Sequence, residues 1–178
     1  MKLLIQFALE NNIILNINEK SYNGKYLLLW VCNDINMPMV HLLIRYATKF
    51  NIILDINEKD VNWNYPFLIL CIKNNTKLSE LLMIYSKKKK KNNIIIPIND
   101  KNSDSDYPLL NICSNNNIEM LNILIEYSKK NNIILELEGE SYDCEEYPFL
   151  LAGNNQNIEM VRILIGYAMI LICQWFIY

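Results

Sequence analysis

Glycine, proline and histidine are scarce in this 178-residue chain, which contains four glycines, five prolines and one histidine. The low glycine and proline counts exclude a collagen-like or loop-rich chain. Because His41 is the only histidine, any catalytic triad or histidine-based metal site would depend on that one residue. We therefore expect no catalytic residues, no metal site and no cofactor, and we expect His41 to lie on the surface.

A surplus of positive charge is also missing, since 17 basic residues face 19 acidic ones and the net charge is -2. This balance argues against a nucleic-acid partner, which would need a basic surface. One local exception is a run of five lysines at 87–91. We interpret the run as a solvated helix end, with a nuclear import signal or a site for an acidic partner as the alternatives.

The cysteines form no pattern typical of a disulfide framework or a zinc site, because their number is odd and no two have the Cys-x-x-Cys spacing. They are Cys32, Cys71, Cys113, Cys144 and Cys173. The N-terminal segment MKLLIQFALE is not typical of a secretory signal, because its apolar run is short, Gln6 interrupts it and no small-residue cleavage site follows. We expect a cytoplasmic protein, although the sequence does not fix the compartment.

Four stretches of the chain align with one another: YLLLWVC from Tyr26, YPFLILC from Tyr65, YPLLNIC from Tyr107 and YPFLLAG from Tyr147. The starts lie 39, 42 and 40 residues apart, and each is followed 20 residues later by a second tyrosine. These second tyrosines are Tyr46, Tyr85, Tyr127 and Tyr167. Insertions are tolerated in exposed loops and rejected inside packed helices, so the constant 20-residue block is predicted to be the packed part of each unit.

Within that block the apolar residues recur with a helical period. In the third copy, Pro108 suits the first turn of a short helix and the asparagines at 115–117 end it before a second helix begins. The chain starts inside a second helix, because LLIQFALENNIIL from Leu3 aligns with LLIRYATKFNIIL from Leu42. The predicted helices are 27–33, 38–49, 66–73, 78–90, 108–114, 118–130, 148–153 and 158–172.

Two helices followed by a projecting turn, in tandem, resemble ankyrin repeats. The segment Tyr-Pro-Leu-Leu-x-x-Cys, from Tyr107 to Cys113, is similar to the family's Thr-Pro-Leu-His-x-Ala-Ala, and the segments 119–125 and 159–165 are similar to its Glu-Val-Val-x-Leu-Leu-Leu. The resemblance implies an all-α fold, an ankyrin-type solenoid of stacked helix–loop–helix repeats. The units would be a truncated N-terminal repeat (1–24), three repeats (25–63, 64–105 and 106–145) and a C-terminal repeat with an atypical apolar tail (146–178).

The chain departs from the family pattern in two ways. The threonine and histidine that tie successive repeats by hydrogen bonds are absent from every copy, and the glycine that ends the second helix is replaced. Without that glycine the second helix is expected to run on by about one turn. The resulting period near 40 residues is also that of HEAT-type helical repeats, which remain the alternative fold. The replacing residues are Ala47, Ser86, Ser128 and Ala168.

Three of the cysteines share one position of the unit, six residues after the opening tyrosine. In the resembled family this position holds a small alanine where helices pack closely. Free cysteine behaves as a small hydrophobic residue, so Cys32, Cys71 and Cys113 are expected to be buried, reduced thiols about one repeat apart.

Ankyrin-like stacks have no catalytic constellation, so the resemblance implies a protein–protein interaction module whose partner the sequence does not identify. Its contacts would come from the exposed side of the first helices and from turn tips, expected at 19–23, 58–63, 100–102 and 138–142. Aromatic residues are typical interface anchors. The residues expected to bind the partner protein are Trp30, Trp63, Tyr22, Tyr142, Asn23, Asp60 and Lys101.

Two other functions are compatible with the sequence: a structural spacer of a larger multidomain protein, and a small enzyme with a ligand in a closed pocket. The apolar tail at 163–178 is shorter than the about 20 apolar residues that a membrane helix needs. We expect a packed terminal helix or the end of a fragment there, and not a membrane segment. The whole chain is expected to be a monomeric array or a fragment of a longer protein.

Overall fold

The computed structural model describes residues 1–88, 94–138 and 147–175, and these residues form nine α-helices and no β-strand. The expected all-α class is confirmed, and each of the eight expected helices is present, with its ends within three residues of the expected ones. The helices are α1 (Lys2–Glu10), α2 (Leu27–Asn33), α3 (Met37–Lys49), α4 (Pro66–Ile72), α5 (Thr76–Lys88), α6 (Pro108–Ser114), α7 (Ile118–Asn131), α8 (Pro148–Asn154) and α9 (Ile158–Trp175).

The short helices α2, α4, α6 and α8 each begin directly after an opening tyrosine in extended conformation. In the last three of them proline follows as the first helical residue. Proline fits there because its φ is already helical and its missing N–H would have had no partner inside the helix. The Tyr-Pro dipeptide therefore fixes where each short helix starts.

The reversal from a short helix to the following long helix takes only three residues. In the third copy, Asn116 has φ 55°, its N–H donates to Cys113 O, and the N–H of Asn117 donates to Ile112 O. Asn117 then caps α7, because its side chain accepts a hydrogen bond from Met120 N at 2.8 Å. Asparagine suits both positions, since it tolerates left-handed backbone and its side chain satisfies an orphan N–H of the next helix.

The long helices α3 and α7 end at an asparagine, where ankyrin repeats use glycine. Asn132 has φ 55°, its N–H donates to Lys129 O, and Ile133 N donates to Ser128 O. Asn51 ends α3 in the same way, with φ 54° and Ile52 donating to Ala47 O. These pairs of bonds form the Schellman arrangement, in which asparagine can replace glycine. The long helices therefore run past the expected glycine position, as the sequence predicts.

The helices pack within two compact units, Met1–Ile96 and Pro97–Tyr178. In the first unit, α1 packs on α3, α2 packs on α3 and α4, and α4 packs on α5. In the second unit, α6 packs on α7 and α8, and α9 packs on α8 and α7. The boundaries between the five repeats expected from the sequence stay a prediction.

Tyrosine hydroxyls link the long helices α3, α5 and α9 to the turn segment that precedes the repeat of each helix. Tyr46 Oη accepts a hydrogen bond from Leu15 N and donates to Ile13 O at 2.8 Å. At the same repeat position, Tyr85 Oη accepts from Leu54 N and Tyr167 Oη accepts from Leu135 N, both at 3.0 Å. The second tyrosine of the repeat, noted in the sequence only for its spacing, therefore satisfies buried backbone of the neighbouring segment.

Asparagine side chains make a second set of links between successive turn segments. Asn18 donates to Ile53 O and accepts from Asp55 N. Asn99 repeats both bonds in the second unit, with Ile134 O and Glu136 N. Asn57 donates to Ile95 O, but its Oδ1 is buried without a hydrogen-bond partner among the residues that the structure describes. The residue two after Ile95 is Pro97, which has no N–H to donate.

The apolar tail forms the end of α9, whose backbone is helical to Trp175. No helix in the described ranges combines the length and the apolar character that crossing a membrane requires.

Candidate functional site

The turn tips expected to bind a partner are five-residue segments at 21–25, 60–64 and 102–106, in each of which the outer two residues close a three-residue hairpin loop. In the first loop Ser21 N donates to Lys25 O and Gly24 N donates to Ser21 O. In the second loop Asp60 N donates to Asn64 O and Trp63 N donates to Asp60 O. Such loops combine a type I turn with one residue in left-handed conformation. Each described tip ends immediately before the opening tyrosine of the next short helix.

The third expected tip, 100–102, is wrong by a few residues, because the loop that projects is 102–106. The reason is that the extra residues of this 42-residue unit precede the tip, so the position counted from the previous repeat is too early. Counting back from the opening tyrosine gives the correct position. The fourth tip, including the expected binding residue Tyr142, lies outside the described residues.

The left-handed position of the tip is occupied by a different kind of residue in each copy. It is Gly24 at φ 70°, Trp63 at φ 62° and Ser105 at φ 61°. Glycine is required in the first copy twice over, because a Cβ on Gly24 would lie 2.9 Å from Asp60 Cα in the next tip. Tryptophan has no such advantage, since a bulky side chain destabilises left-handed backbone by about 1–2 kcal/mol.

Asp60, expected to contact the partner, instead holds its own tip together. Its side chain is buried, and its carboxylate accepts hydrogen bonds from Asn62 N at 3.0 Å and from Asn64 N at 2.9 Å. Asn102 is buried in the same way and accepts from two backbone N–H groups of the third tip. The carboxylate of Asp60 therefore has a structural role within its own tip, and its expected contact with a partner stays a prediction.

The first and second tips lie side by side, since Val61 N donates to Asn23 O at 3.2 Å. The tips there present large apolar side chains to solvent: Tyr22 is fully exposed, Val61 is 59% exposed and Trp63 is 60% exposed. Asn23 is exposed between them. We call these four residues the tip patch. Val61 lies within the expected tip 58–63 but was not among the residues expected to bind the partner.

Lysines lie over aromatic rings next to the tips. The ammonium groups of Lys20, Lys59 and Lys101 lie 5.9, 5.8 and 5.3 Å from the ring centres of the opening tyrosines Tyr26, Tyr65 and Tyr107. Lys59 is also 5.4 Å from the ring centre of Trp63. Such contacts contribute about 0.5–1 kcal/mol at exposed sites.

Lys101, expected to bind the partner, also forms an ion pair with Glu136, with 3.3 Å between Nζ and Oε1. Lys20 pairs with Glu58 in the first unit in the same manner. Because one side chain serves both a tyrosine ring and the next turn segment, Lys101 has a role inside the protein that the sequence did not show.

The fourth residue after each opening tyrosine lies on a short helix, and Trp30 is the only large apolar residue exposed at this position. It is 58% exposed on α2, whereas Ile69 and Leu151 at the equivalent position of α4 and α8 are buried. Asn111, the fourth residue at this position, donates to Asp106 Oδ1 and Tyr107 O. Only the first copy therefore offers this position as an aromatic surface.

The thiols expected to be buried are Cys32, Cys71 and Cys113, and all three are free and without solvent exposure. Burial raises the pKa of the Cys32 and Cys113 thiols from 9.0 to about 12, and that of Cys71 well above 9.0. A thiol with a raised pKa is a poor nucleophile. Cys144 and the side chain of Cys173 lie outside the described residues.

His41 is exposed on α3, as expected. Within 1–87, 94–138 and 147–170, where side chains are described, no cluster of histidine, cysteine and acidic residues could hold a metal ion. The lysine run is described only in part, because residues 89–91 fall in the undescribed segment.

Comparison of the chain with protein-family models gives no match, and comparison with curated proteins finds none that is significantly similar.

Proposed function

We propose that this chain is an ankyrin-type repeat array that binds a partner protein through the tip patch and Trp30. Two helices followed by a hairpin-like tip support the ankyrin type over the HEAT type, because HEAT units consist of helices alone whereas ankyrin units add a β-turn. The proposed activity is binding without catalysis. The cytoplasm is the proposed compartment.

One observation carries the binding proposal: Trp63 has a left-handed backbone conformation and is 60% exposed. Strained residues persist where surrounding structure holds them, and they cluster at functional sites. Glycine, used at the same place in the first tip, would remove the strain. A large aromatic side chain that brings strain without burial is better explained by contact with a partner than by a structural role.

The tryptophans can be tested before any partner is known. In variants that keep only Trp63 (Trp30→Phe with Trp175→Phe) or only Trp30 (Trp63→Phe with Trp175→Phe), acrylamide should quench the remaining fluorescence almost as it quenches free tryptophan. A shielded tryptophan with a blue-shifted emission would remove that residue from the proposed surface.

The binding experiment compares the immobilised wild-type chain with Trp63→Gly and with the matched control Ser105→Gly in capture from native extract. Both variants relieve the same backbone strain, but only the first removes an aromatic residue. We expect a protein retained by the wild type and by Ser105→Gly to be lost with Trp63→Gly. Its measured affinity should fall at least about 30-fold for Trp63→Ala and for Trp30→Ala.

A structural spacer is the competing function, and the same experiment separates it from binding. A spacer would retain the same proteins whichever tip residue is changed, and each variant would be as stable as the wild type or more so. Equal capture by Trp63→Gly and Ser105→Gly would therefore reject the proposed site.

A further inference from the structure

The outer face of α1 exposes apolar side chains that are buried at the same repeat position in α3. Leu4 and Phe7 are 52% and 56% exposed, whereas their counterparts Leu43 and Tyr46 in α3 are fully buried. We call this surface, which also includes Leu3, the N-face. It is the surface that a preceding long helix would cover if the stacking of α1 on α3 continued.

At the other end of the chain, α9 shows the opposite pattern. Where α1 packs on α3, it buries Ile5 and Leu9. The counterparts of these residues in α9 are Ile165 and Met169, which are 46% and 59% exposed. We call these two residues and Ile170 the C-face. Two of its members, Ile165 and Met169, occupy the positions that α1 uses to cover α3, and Ile170 lies beside them.

The two faces are thus the two halves of a contact that the chain already makes internally. Ile165 and Met169 correspond to the covering side chains of α1, and Leu4 and Phe7 correspond to the covered side chains of α3. Both faces are apolar at these positions, although a repeat surface that stays in contact with water is normally polar.

The replacement of tyrosine by Phe7 on the N-face is consistent with the continued helix at the end of α9, next to the C-face. Phe7 replaces the tyrosine whose hydroxyl, in Tyr46, Tyr85 and Tyr167, bonds the N–H of a preceding turn segment. That segment begins six residues after the tyrosine of the preceding repeat, as at Ile52 after Tyr46. In α9 the backbone at this position is still helical, since the helix runs to Trp175. A helix of this kind offers no turn N–H, so a hydroxyl on residue 7 would have no partner.

From these observations we propose that the chain associates with a second copy of itself head to tail, the C-face of one copy packing on the N-face of the next. The contact is heterologous, because each copy contributes a different surface. Each copy keeps one free face, so association continues beyond two copies. This inference does not depend on the proposed binding of another protein.

The test uses two variants of the full chain that each block one face. Leu4→Glu with Phe7→Glu blocks the N-face, and Ile165→Glu with Met169→Glu blocks the C-face. Ile84→Glu, at an exposed site in the middle of α5, is the matched control for added charge. Mass is measured by sedimentation over a range of concentrations, and helix content is measured for each variant by circular dichroism.

We expect the wild type and Ile84→Glu to grow beyond dimers as concentration rises, and each blocked variant to stay monomeric. The decisive sample is the equimolar mixture of the two blocked variants, which should form a 1:1 dimer and nothing larger. This result is expected because one intact N-face and one intact C-face remain in the mixture.

A wild type that stays monomeric at the highest soluble concentration would overturn the proposal. So would a self-associating wild type whose blocked variants give no mixed dimer, because that result assigns association to a like-with-like contact or to another surface. If a glutamate variant loses helix content, the milder pair Leu4→Gln and Met169→Gln is used, and the mixed dimer must form with that pair. Capture of another protein through Trp63 is unaffected by either outcome, so the two proposals fail separately.

Discussion

At the scale of single residues, the repeats differ in which residue occupies each position with left-handed backbone conformation. The reversal between short and long helices uses Asn74, Asn116 and Gln156 in three copies, with φ between 53° and 55°. In the first copy Ile35 occupies this position at φ 52°. A β-branched residue is strongly disfavoured there, so the first unit carries local strain at this reversal.

Replacing Ile35 by asparagine should therefore stabilise the protein. Ile35 is 42% exposed, so only part of its side chain is lost from the packed structure, and removing the strain should add up to about 1 kcal/mol to the free energy of unfolding. Urea unfolding measures this change. The reverse substitution Asn74→Ile is the control, and it should destabilise by a similar amount or more. A decrease on Ile35→Asn would mean that the isoleucine contributes packing that outweighs its strain.

Asparagine links offer a second residue-scale prediction. Asn18→Ala and Asn99→Ala each remove two hydrogen bonds to backbone groups, which should lower the free energy of unfolding by about 1–2 kcal/mol. Asn57→Ala removes one bond and also the buried oxygen that has no partner in the described structure, so it should cost clearly less. Thermal unfolding of the three variants ranks them. Equal losses would show that the oxygen of Asn57 is satisfied, for example by water.

At the scale of elements, helix positions were predictable because several signals coincide in the sequence. Tyr-Pro starts the short helices, asparagine pairs reverse the chain, and the apolar period fixes which side of each long helix is buried. The hydroxyl contacts of the second tyrosines were not predictable from spacing, because they join segments more than 30 residues apart. The strain at Trp63 was equally hidden, since it follows from the tip register and not from the residue itself.

The tyrosine links give a prediction at this scale. Tyr85→Phe leaves Leu54 N buried without its acceptor, and an unsatisfied buried N–H costs about 1–3 kcal/mol. Tyr22→Phe is the control, because Tyr22 is fully exposed and should change the free energy of unfolding little. Hydrogen exchange at Leu54 should accelerate in the first variant alone. Unchanged exchange and unchanged stability would show that the hydroxyl is replaced by solvent.

At the scale of the whole molecule, buried cysteine thiols and tyrosine hydroxyls should make the free energy of unfolding fall at alkaline pH. Burial raises the pKa of Cys32 and Cys113 to about 12, and burial also raises the pKa of Tyr26, Tyr85 and Tyr107. The unfolded chain releases these protons at lower pH than the folded chain, so the unfolded state binds fewer protons above about pH 9. Stability is then complete below that pH and is lost as the pH rises toward 12.

The thiol contribution can be isolated with Cys32→Ala. Between pH 9 and 12 each buried thiol steepens the fall in unfolding free energy by at most about 1.4 kcal/mol per pH unit. Urea unfolding across this range should show a shallower fall in the variant, while both proteins have a constant stability between pH 7 and 8. A variant with the same slope as the wild type would mean that the Cys32 thiol ionises alike in both states.

The tyrosine hydroxyl links also set an order in which the chain can fold during synthesis. The backbone N–H of Leu15 has its acceptor in Tyr46, and that of Leu54 has its acceptor in Tyr85. Each acceptor lies 31 residues later in the chain. At ribosomal rates of about 5–20 residues per second, the later residue follows after about 2–6 s. These turn segments therefore leave the ribosome before their hydrogen-bond acceptors are synthesised, and the bonds form only with the long helix of the following repeat. The folded part of the nascent chain then lags about one repeat behind the part already synthesised.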